Sequence, residues 1–186
     1  MEKLYNQIKN YIPYNAKEAA DREAMLFFMD RNPDALYRTN PNGHFATSAW
    51  VVNKDRTKVL MIYHNIYNSW AWSGGHADGE RDLLAVIRRE IAEETGITDM
   101  KLLCDGIFAI NVLCVEPHIK KGQHVAAHIH YDVEYLFEAD DSLPLRIKED
   151  ENSAVGWVNI SDINTAVTEE KMKPIYALLV DKAKKY

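Results

Sequence analysis

The stretch that decides the fold is GGHADGERDLLAVIRREIAEETGI, residues 74–97. It opens with two glycines and a polar loop, and residues 82–95 then place apolar side chains at helical spacing. Gly96 follows as a left-handed helix end. The pattern predicts a glycine-rich loop that leads into a single amphipathic helix, whose apolar stripe consists of Leu84, Ile87 and Ile91.

Three carboxylates share one side of this helix. Residues three and four apart are neighbours on a helix surface, so Glu90, Glu93 and Glu94 cluster beside the apolar stripe. Such carboxylates repel one another unless a cation neutralises them, and magnesium typically binds one or two carboxylates together with substrate phosphates. Charged faces of amphipathic helices are, however, usually just solvated. From the helix alone, this face can be interpreted either as a metal site or as a solvated surface.

The spacing of the whole segment resembles the Nudix box, which reads Gly, five residues, Glu, seven residues, Arg-Glu-apolar-any-Glu-Glu-any-Gly-apolar. One position departs: Arg81 stands where the family has a Glu that mainly supports the loop and helix, and Glu80 lies one residue earlier. We expect Glu80 to compensate, with reduced activity as the alternative. Every other position of the box is occupied at the family's intervals, by Gly75, Arg89, Glu90, Ile91, Glu93, Glu94, Gly96 and Ile97.

The rest of the chain fits the family's order of elements over roughly residues 44–160. The resemblance implies an α/β fold, an α/β/α sandwich around a mixed sheet. Residues 1–40 would form an N-terminal helical extension, and residues 41–186 the Nudix hydrolase domain. Local patterns predict two helices within residues 1–31, a turn at 117–124 and a closing helix over 173–185, with strands at 46–52, 58–63, 102–115, 125–138 and 154–160.

The resemblance also implies a reaction. Glu90, Glu93 and Glu94, with the carbonyl of Gly75, would hold Mg²⁺ or Mn²⁺, which lowers the pKa of an attacking water. The expected substrate is a nucleoside diphosphate linked to another moiety, or a related small diphosphate. Family members often take a further carboxylate from the loop before the last strand. Glu151 stands there, with Glu149 and Asp150 as neighbours, although a solvated acidic turn explains any one of the three equally well.

The candidates for further contacts with the substrate are Trp72, His76, Arg89, His128 and His130. His128 and His130 alternate along a predicted strand and therefore point to one face. Local hydrogen bonding is favoured over a transition-metal pair, because the sequence places no third ligand. Trp72 could stack on a base, but covering the core is the commoner use of such residues.

Composition excludes several function classes. A net charge of −6 gives no basic surface for a nucleic acid polymer, although metal ions would still let an acidic protein bind a small polyphosphate. No apolar run approaches a membrane span of about 18 residues, so we expect a cytoplasmic protein with no membrane partner. Family members are often homodimers. Cys104 and Cys114 lie in apolar contexts and are expected to be buried thiols.

Two other functions fit the same box. The first is a non-catalytic nucleotide sensor, which Arg81 favours and the intact carboxylates disfavour. The second is an isomerase acting on an isoprenyl diphosphate, but its usual cysteine motif is not apparent in this chain.

Overall fold

A computed structural model describes residues 1–66, 68–120, 122–148 and 152–186. The predicted carboxylates Glu149, Asp150 and Glu151 lie outside the described residues. Helices are α1 (Glu2–Asn10), α2 (Ala16–Arg31), α3 (Leu83–Thr95), α4 (Ile163–Ala166) and α5 (Lys173–Ala183), with a short 3-10 turn at Ile160–Asp162. Strands are β1 (Gly43–Val52), β2 (Lys58–His64), β3 (Ser69–Ala71), β4 (Ser73–His76), β5 (Lys101–Leu102), β6 (Ala109–Val115), β7 (His118–Lys120), β8 (Gln123–Val125), β9 (His128–Glu138) and β10 (Asn152–Asn159).

The α/β class and the N-terminal helices are confirmed, and three local predictions are wrong. The strand expected over 102–115 is divided into β5 and β6 around Gly106, whose φ of +105° suits glycine alone. The turn expected over 117–124 contains the paired strands β7 and β8, although Lys121 lies outside the described residues. Cys114, on β6, is exposed, because an apolar neighbourhood does not specify which face of a strand a residue occupies, and Cys104 is half-buried in the bend before Gly106.

Contacts divide the chain into two compact units, and the first comprises Met1–Thr47, Gly75–Val86 and Gly106–Glu134. In this unit β1 and β9 run parallel, since the Ile129 amide donates to the Asn42 carbonyl and the Thr47 hydroxyl to the Val133 carbonyl. β6 pairs antiparallel with β9, and in the described part of the chain it pairs with no other strand.

Helix α2 packs against β6 in this first unit. The amide of Val112 donates to the Asp21 carboxylate at 3.2 Å. Asn15 caps α2, and its side chain accepts from the Glu18 amide at 2.9 Å. The Glu18 side chain is fully buried and accepts from the Tyr11 hydroxyl at 2.6 Å and the Tyr14 amide at 2.7 Å. One buried carboxylate thus holds α2 to the segment that connects it with α1.

The second unit comprises Ser48–Gly74, Ile87–Asp105 and Tyr135–Tyr186. Its strands follow the order β10, β2, β1, β9 and β5, and β3 also pairs with β2. Tyr176 of α5 packs against two tryptophans, with ring centroids 5.5 Å from Trp50 and 5.2 Å from Trp72. The closing helix therefore covers the apolar side of these strands. Among the described residues, no helix is long and apolar enough to cross a membrane.

Helix α3 has well-defined ends. The side chain of Asp82 accepts from the Ala85 amide at 3.2 Å, which makes Asp82 the N-cap. At the other end Gly96 has a φ of +80°, and the amide of Arg146 donates to the Thr95 carbonyl at 2.9 Å. A Cβ at Gly96 would lie 3.2 Å from the Cβ of Arg146. The helix boundaries predicted from the sequence are thus met to within one residue.

Candidate functional site

The acidic face of α3 includes one nearly buried carboxylate. Glu94 is 4% exposed, and its Oε2 accepts from the Gly74 amide at 3.3 Å. Glu90 is half-buried, and Glu93 is exposed. Because these residues stand three and four apart on one helix, their carboxylates share a face, as the sequence predicts. The amide of Gly74 is a contact that the sequence did not single out.

A lysine outside the box reaches the same helix face. The Nζ of Lys148 lies 3.2 Å from Oε2 of Glu93. Lys148 and Asn152 are hydrogen-bonded to each other, since the Lys148 amide donates to the Asn152 side chain and the Asn152 amide to the Lys148 carbonyl, each at 3.0 Å. The two residues that flank 149–151 are therefore held together, and one of them contacts α3.

The departure from the box at residue 81 is offset locally. The Glu80 carboxylate accepts from the amides of Arg81 at 3.0 Å and Asp82 at 3.4 Å. It thereby binds backbone donors that would otherwise need water just before the helix begins. Arg81 itself is exposed. This arrangement agrees with the expectation that Glu80 supports the loop.

A second cluster, in the first unit, consists of four histidines. Candidate ligand nitrogens of His44, His76 and His130 all lie within 4.8 Å of one another. Nε2 of His128 lies 3.1 Å from Nε2 of His130, so the pair shares one strand face as predicted. The structure adds His76 and His44, the latter of which the sequence reasoning missed. The available signal was a histidine two residues before the strand predicted at 46–52.

Close packing of the backbone positions His44. A Cβ at the preceding residue, Gly43, would lie 2.5 Å from the Ile129 carbonyl oxygen, so only glycine permits β1 and β9 to approach this closely. The His44 ring centroid then lies 5.0 Å from that of His128 and 4.8 Å from that of His130. Backbone approach and ring stacking together create the cluster.

Burial favours the neutral form of His44 and His130. The pKa of His44 is lowered from 6.5 to about 4, chiefly by desolvation and then by the neighbouring His128 and Arg38. The pKa of His130 is lowered to about 2, chiefly by desolvation and then by repulsion from His76 and the other histidines. Neutral imidazole is the form that binds metal ions.

Trp72 and Arg89 are the remaining predicted substrate contacts. Trp72 packs edge-on against Tyr176, which fits a role in covering the core. Arg89 is exposed on α3. The guanidinium of Arg88 lies over the Phe137 ring at 5.0 Å and so tethers the helix. Substrate contacts by Trp72 and Arg89 stay predictions.

Known proteins share this organisation. The NUDIX domain profile matches residues 42–179. An RNA pyrophosphohydrolase from Pelagibacter ubique (strain HTCC1062) is 27% identical over 72% of this chain and 87% of that protein. Two solved structures share the fold at 17% identity. An Ap4A hydrolase of C. elegans in a binary complex has a TM-score of 0.54 and covers 76% of this chain and 95% of its own. A NUDIX family hydrolase of Clostridium perfringens has a TM-score of 0.54 and covers 74% of this chain and 96% of its own.

The profile match and the carboxylate helix agree with the resemblance read from the sequence. The chain belongs to the Nudix family and is an enzyme of the Nudix pyrophosphohydrolase type.

Proposed function

We propose that the protein hydrolyses a phosphoanhydride bond in a nucleoside diphosphate linked to another moiety, or in a related small diphosphate, with Mg²⁺ or Mn²⁺. The observation that carries the proposal is the face of α3, where the nearly buried Glu94 stands beside Glu90 and Glu93. The Pelagibacter relative is named a pyrophosphohydrolase, which supports cleavage of an anhydride bond.

The donor set fits the metal that the family implies. Carboxylate oxygens are the ligands that hard divalent cations prefer. Glu90, Glu93 and Glu94 would hold the metal, while the Gly75 carbonyl stays a sequence-based prediction. When bound, the metal supplies positive charge against the diphosphate and a more acidic water. The amide of Gly74 orients the Glu94 carboxylate through its hydrogen bond.

Lys148 supports a role for the neighbouring acidic segment. The pairing of Lys148 with Asn152 brackets residues 149–151, and the Lys148 ammonium contacts Glu93. A carboxylate from that segment would act as the base that orients or deprotonates the attacking water. We propose Glu151 for this role, with Glu149 and Asp150 as alternatives. The variant Glu151→Gln should then lower kcat by a larger factor than it changes KM.

A substrate screen tests the function. Nucleotide sugars, dinucleoside polyphosphates, coenzyme-linked diphosphates and nucleoside triphosphates are incubated with enzyme and Mg²⁺, and products are identified by mass spectrometry in ¹⁸O-labelled water. We expect one ¹⁸O atom in a phosphate of the product, and no turnover in excess EDTA. Full turnover in EDTA would exclude the proposed metal dependence.

One arm of the screen uses a short RNA with a 5′-triphosphate. The net charge of −6 argues against a polynucleotide substrate, whereas the name of the Pelagibacter relative argues for including it. Faster turnover of the RNA than of every small diphosphate would contradict the small-molecule proposal. The homodimer and the cytoplasmic location stay predictions.

A further inference from the structure

We propose that His44, His76 and His130, with His128 beside them, form a binding site for a divalent transition metal of the zinc type. This site differs in chemistry from the carboxylate face of α3. It does not depend on the proposed hydrolysis.

The spacing of the nitrogens fits such an ion. Zinc–nitrogen bonds of about 2.1 Å place tetrahedral ligands roughly 3.4 Å apart. The nitrogens of His44, His76 and His130 are separated by at most 4.8 Å, and the Nε2 atoms of His128 and His130 by 3.1 Å. Small side-chain rotations would therefore bring three or four imidazoles onto one ion.

The chemistry of His44 points to a ligand at the same place. Its side chain is 3% exposed, and neither Nδ1 nor Nε2 has a hydrogen-bond partner among the residues that the structure describes. Buried polar atoms are nearly always satisfied, so such an imidazole calls for a specific explanation. A metal ion bound to one nitrogen supplies it, because three other histidine rings surround His44 within about 5 Å of its centroid.

The hydrogen bonds of His128 prepare a second donor. A carbonyl oxygen only accepts, so Nδ1–H of His128 donates to the Ala126 carbonyl at 2.8 Å. In the neutral ring this leaves the lone pair on Nε2, which faces His130. Metal-binding histidines are commonly held by a carbonyl in this way, which fixes the tautomer and the ring orientation. On metal binding, the proton between the two Nε2 atoms would move to Nδ1 of His130, so that both rings stay neutral and both Nε2 lone pairs become available.

The ligand type selects the ion. Imidazole suits zinc, copper, nickel and iron, whereas magnesium and calcium prefer oxygen. Two charged groups act on His44, namely Arg38 and Asp78. They are paired with each other, since Nε of Arg38 donates to Oδ1 of Asp78 at 2.7 Å. They therefore add little net charge against a bound cation. The arrangement favours zinc over magnesium even when magnesium is in large excess.

Zinc binding to the untagged full-length chain provides the test. Zn²⁺ alone is titrated against a competing chelator in a buffer that contains millimolar Mg²⁺. We expect one equivalent per chain, an increase in melting temperature with zinc, and an intense visible absorption band when Co²⁺ replaces zinc. His76→Ala and His130→Ala should each weaken zinc binding at least a hundredfold, beyond the roughly 10–100-fold typical of losing an outer-shell partner.

Matched controls separate this site from other histidines and from α3. His124→Ala removes an exposed histidine outside the cluster, and Glu94→Gln alters the carboxylate face; both should keep zinc affinity within about threefold of the wild type. The circular dichroism of each metal-free variant establishes that it is folded. His76 is partly exposed, so His76→Ala remains informative if His130→Ala does not fold. Three outcomes would each overturn the proposal. They are absence of zinc binding to the wild type, wild-type zinc affinity in a folded His76→Ala variant, and loss of zinc binding in Glu94→Gln.

Discussion

Replacing Glu94 by Gln separates a catalytic role of the α3 face from a structural one. The substitution keeps the shape of the side chain and removes its charge. If Glu94 holds the metal, kcat should fall about a hundredfold or more, as when a preorganised electrostatic contact is lost. A hundredfold change corresponds to about 2.7 kcal/mol in the activation free energy.

The expected effect on stability is small. Glu94 is 4% exposed, but its hydrogen bond from the Gly74 amide is long, at 3.3 Å, and the Gln oxygen still accepts it. Loss of the charge should therefore change the free energy of unfolding by about 1 kcal/mol or less. In a chain of this length that corresponds to roughly 2–4 °C in melting temperature.

A matched control lies elsewhere in the chain. Glu18 is also a buried glutamate on a helix, and it accepts from the Tyr11 hydroxyl and the Tyr14 amide. Glu18→Gln should lower the free energy of unfolding by about 1–3 kcal/mol, since the bonds to a buried carboxylate weaken. Its kcat should be unchanged at temperatures where it is folded.

Turnover of the best substrate from the screen and thermal melting are measured on the same preparations of both variants. The expected pattern is loss of activity without loss of stability at Glu94, and the reverse at Glu18. Turnover by Glu94→Gln within threefold of the wild type would refute its metal-binding role. A fall of more than about 10 °C in its melting temperature would show that the face is structural.

Three further predictions concern the ends of α3 and the histidine cluster. Glu80→Gln should lower the free energy of unfolding by about 0.5–1 kcal/mol in a denaturant titration, because two backbone donors lose a charged acceptor. Arg81→Glu should be tolerated. The opposite ranking of the two variants would contradict the role given to Glu80. Gly96→Ala should cost about 1–2 kcal/mol in the same titration, because a non-glycine residue at φ +80° is strained and its Cβ meets that of Arg146; unchanged stability would argue against this helix end. With chelator present, the His44 pKa of about 4 lies below its unfolded value of 6.5, so the unfolded chain takes up the proton first and stability is lost as the pH falls through this window. His44 alone should lower the free energy of unfolding by about 2 kcal/mol between pH 7 and pH 5, and the lowered pKa of His130 adds a loss in the same direction. A flat profile in unfolding titrations would contradict the burial of His44.

Features set by short-range spacing were predictable from the sequence. The helix over residues 82–95 and its end at Gly96 follow from apolar periodicity and glycine chemistry, and the structure has α3 at Leu83–Thr95. The shared face of Glu90, Glu93 and Glu94 follows from the same helical geometry. The divided strand at 102–115 was missed because apolar residues on both sides obscured Asp105-Gly106, a dipeptide that is typical of turns.

Features that depend on strand pairing were not predictable. His44 and His130 are far apart in sequence, and they meet because β1 and β9 run side by side and approach closely at Gly43. A single sequence specifies the alternation of His128 and His130 but not their neighbours across the sheet. Lys148 was missed for the same reason, since its contact with Glu93 depends on where the chain returns to α3.

The contact between α2 and β6 bears on how the protein can be shortened. β6 pairs on one side with β9, and on its other side the Asp21 carboxylate takes the Val112 amide. An uncovered strand edge invites pairing with other chains and hence aggregation. A fragment that begins at residue 41 would keep the whole Nudix box but lose Asp21 and leave this edge open. We therefore expect the N-terminal helices to limit aggregation through the edge of β6, and expression of residues 41–186 without them should yield insoluble protein.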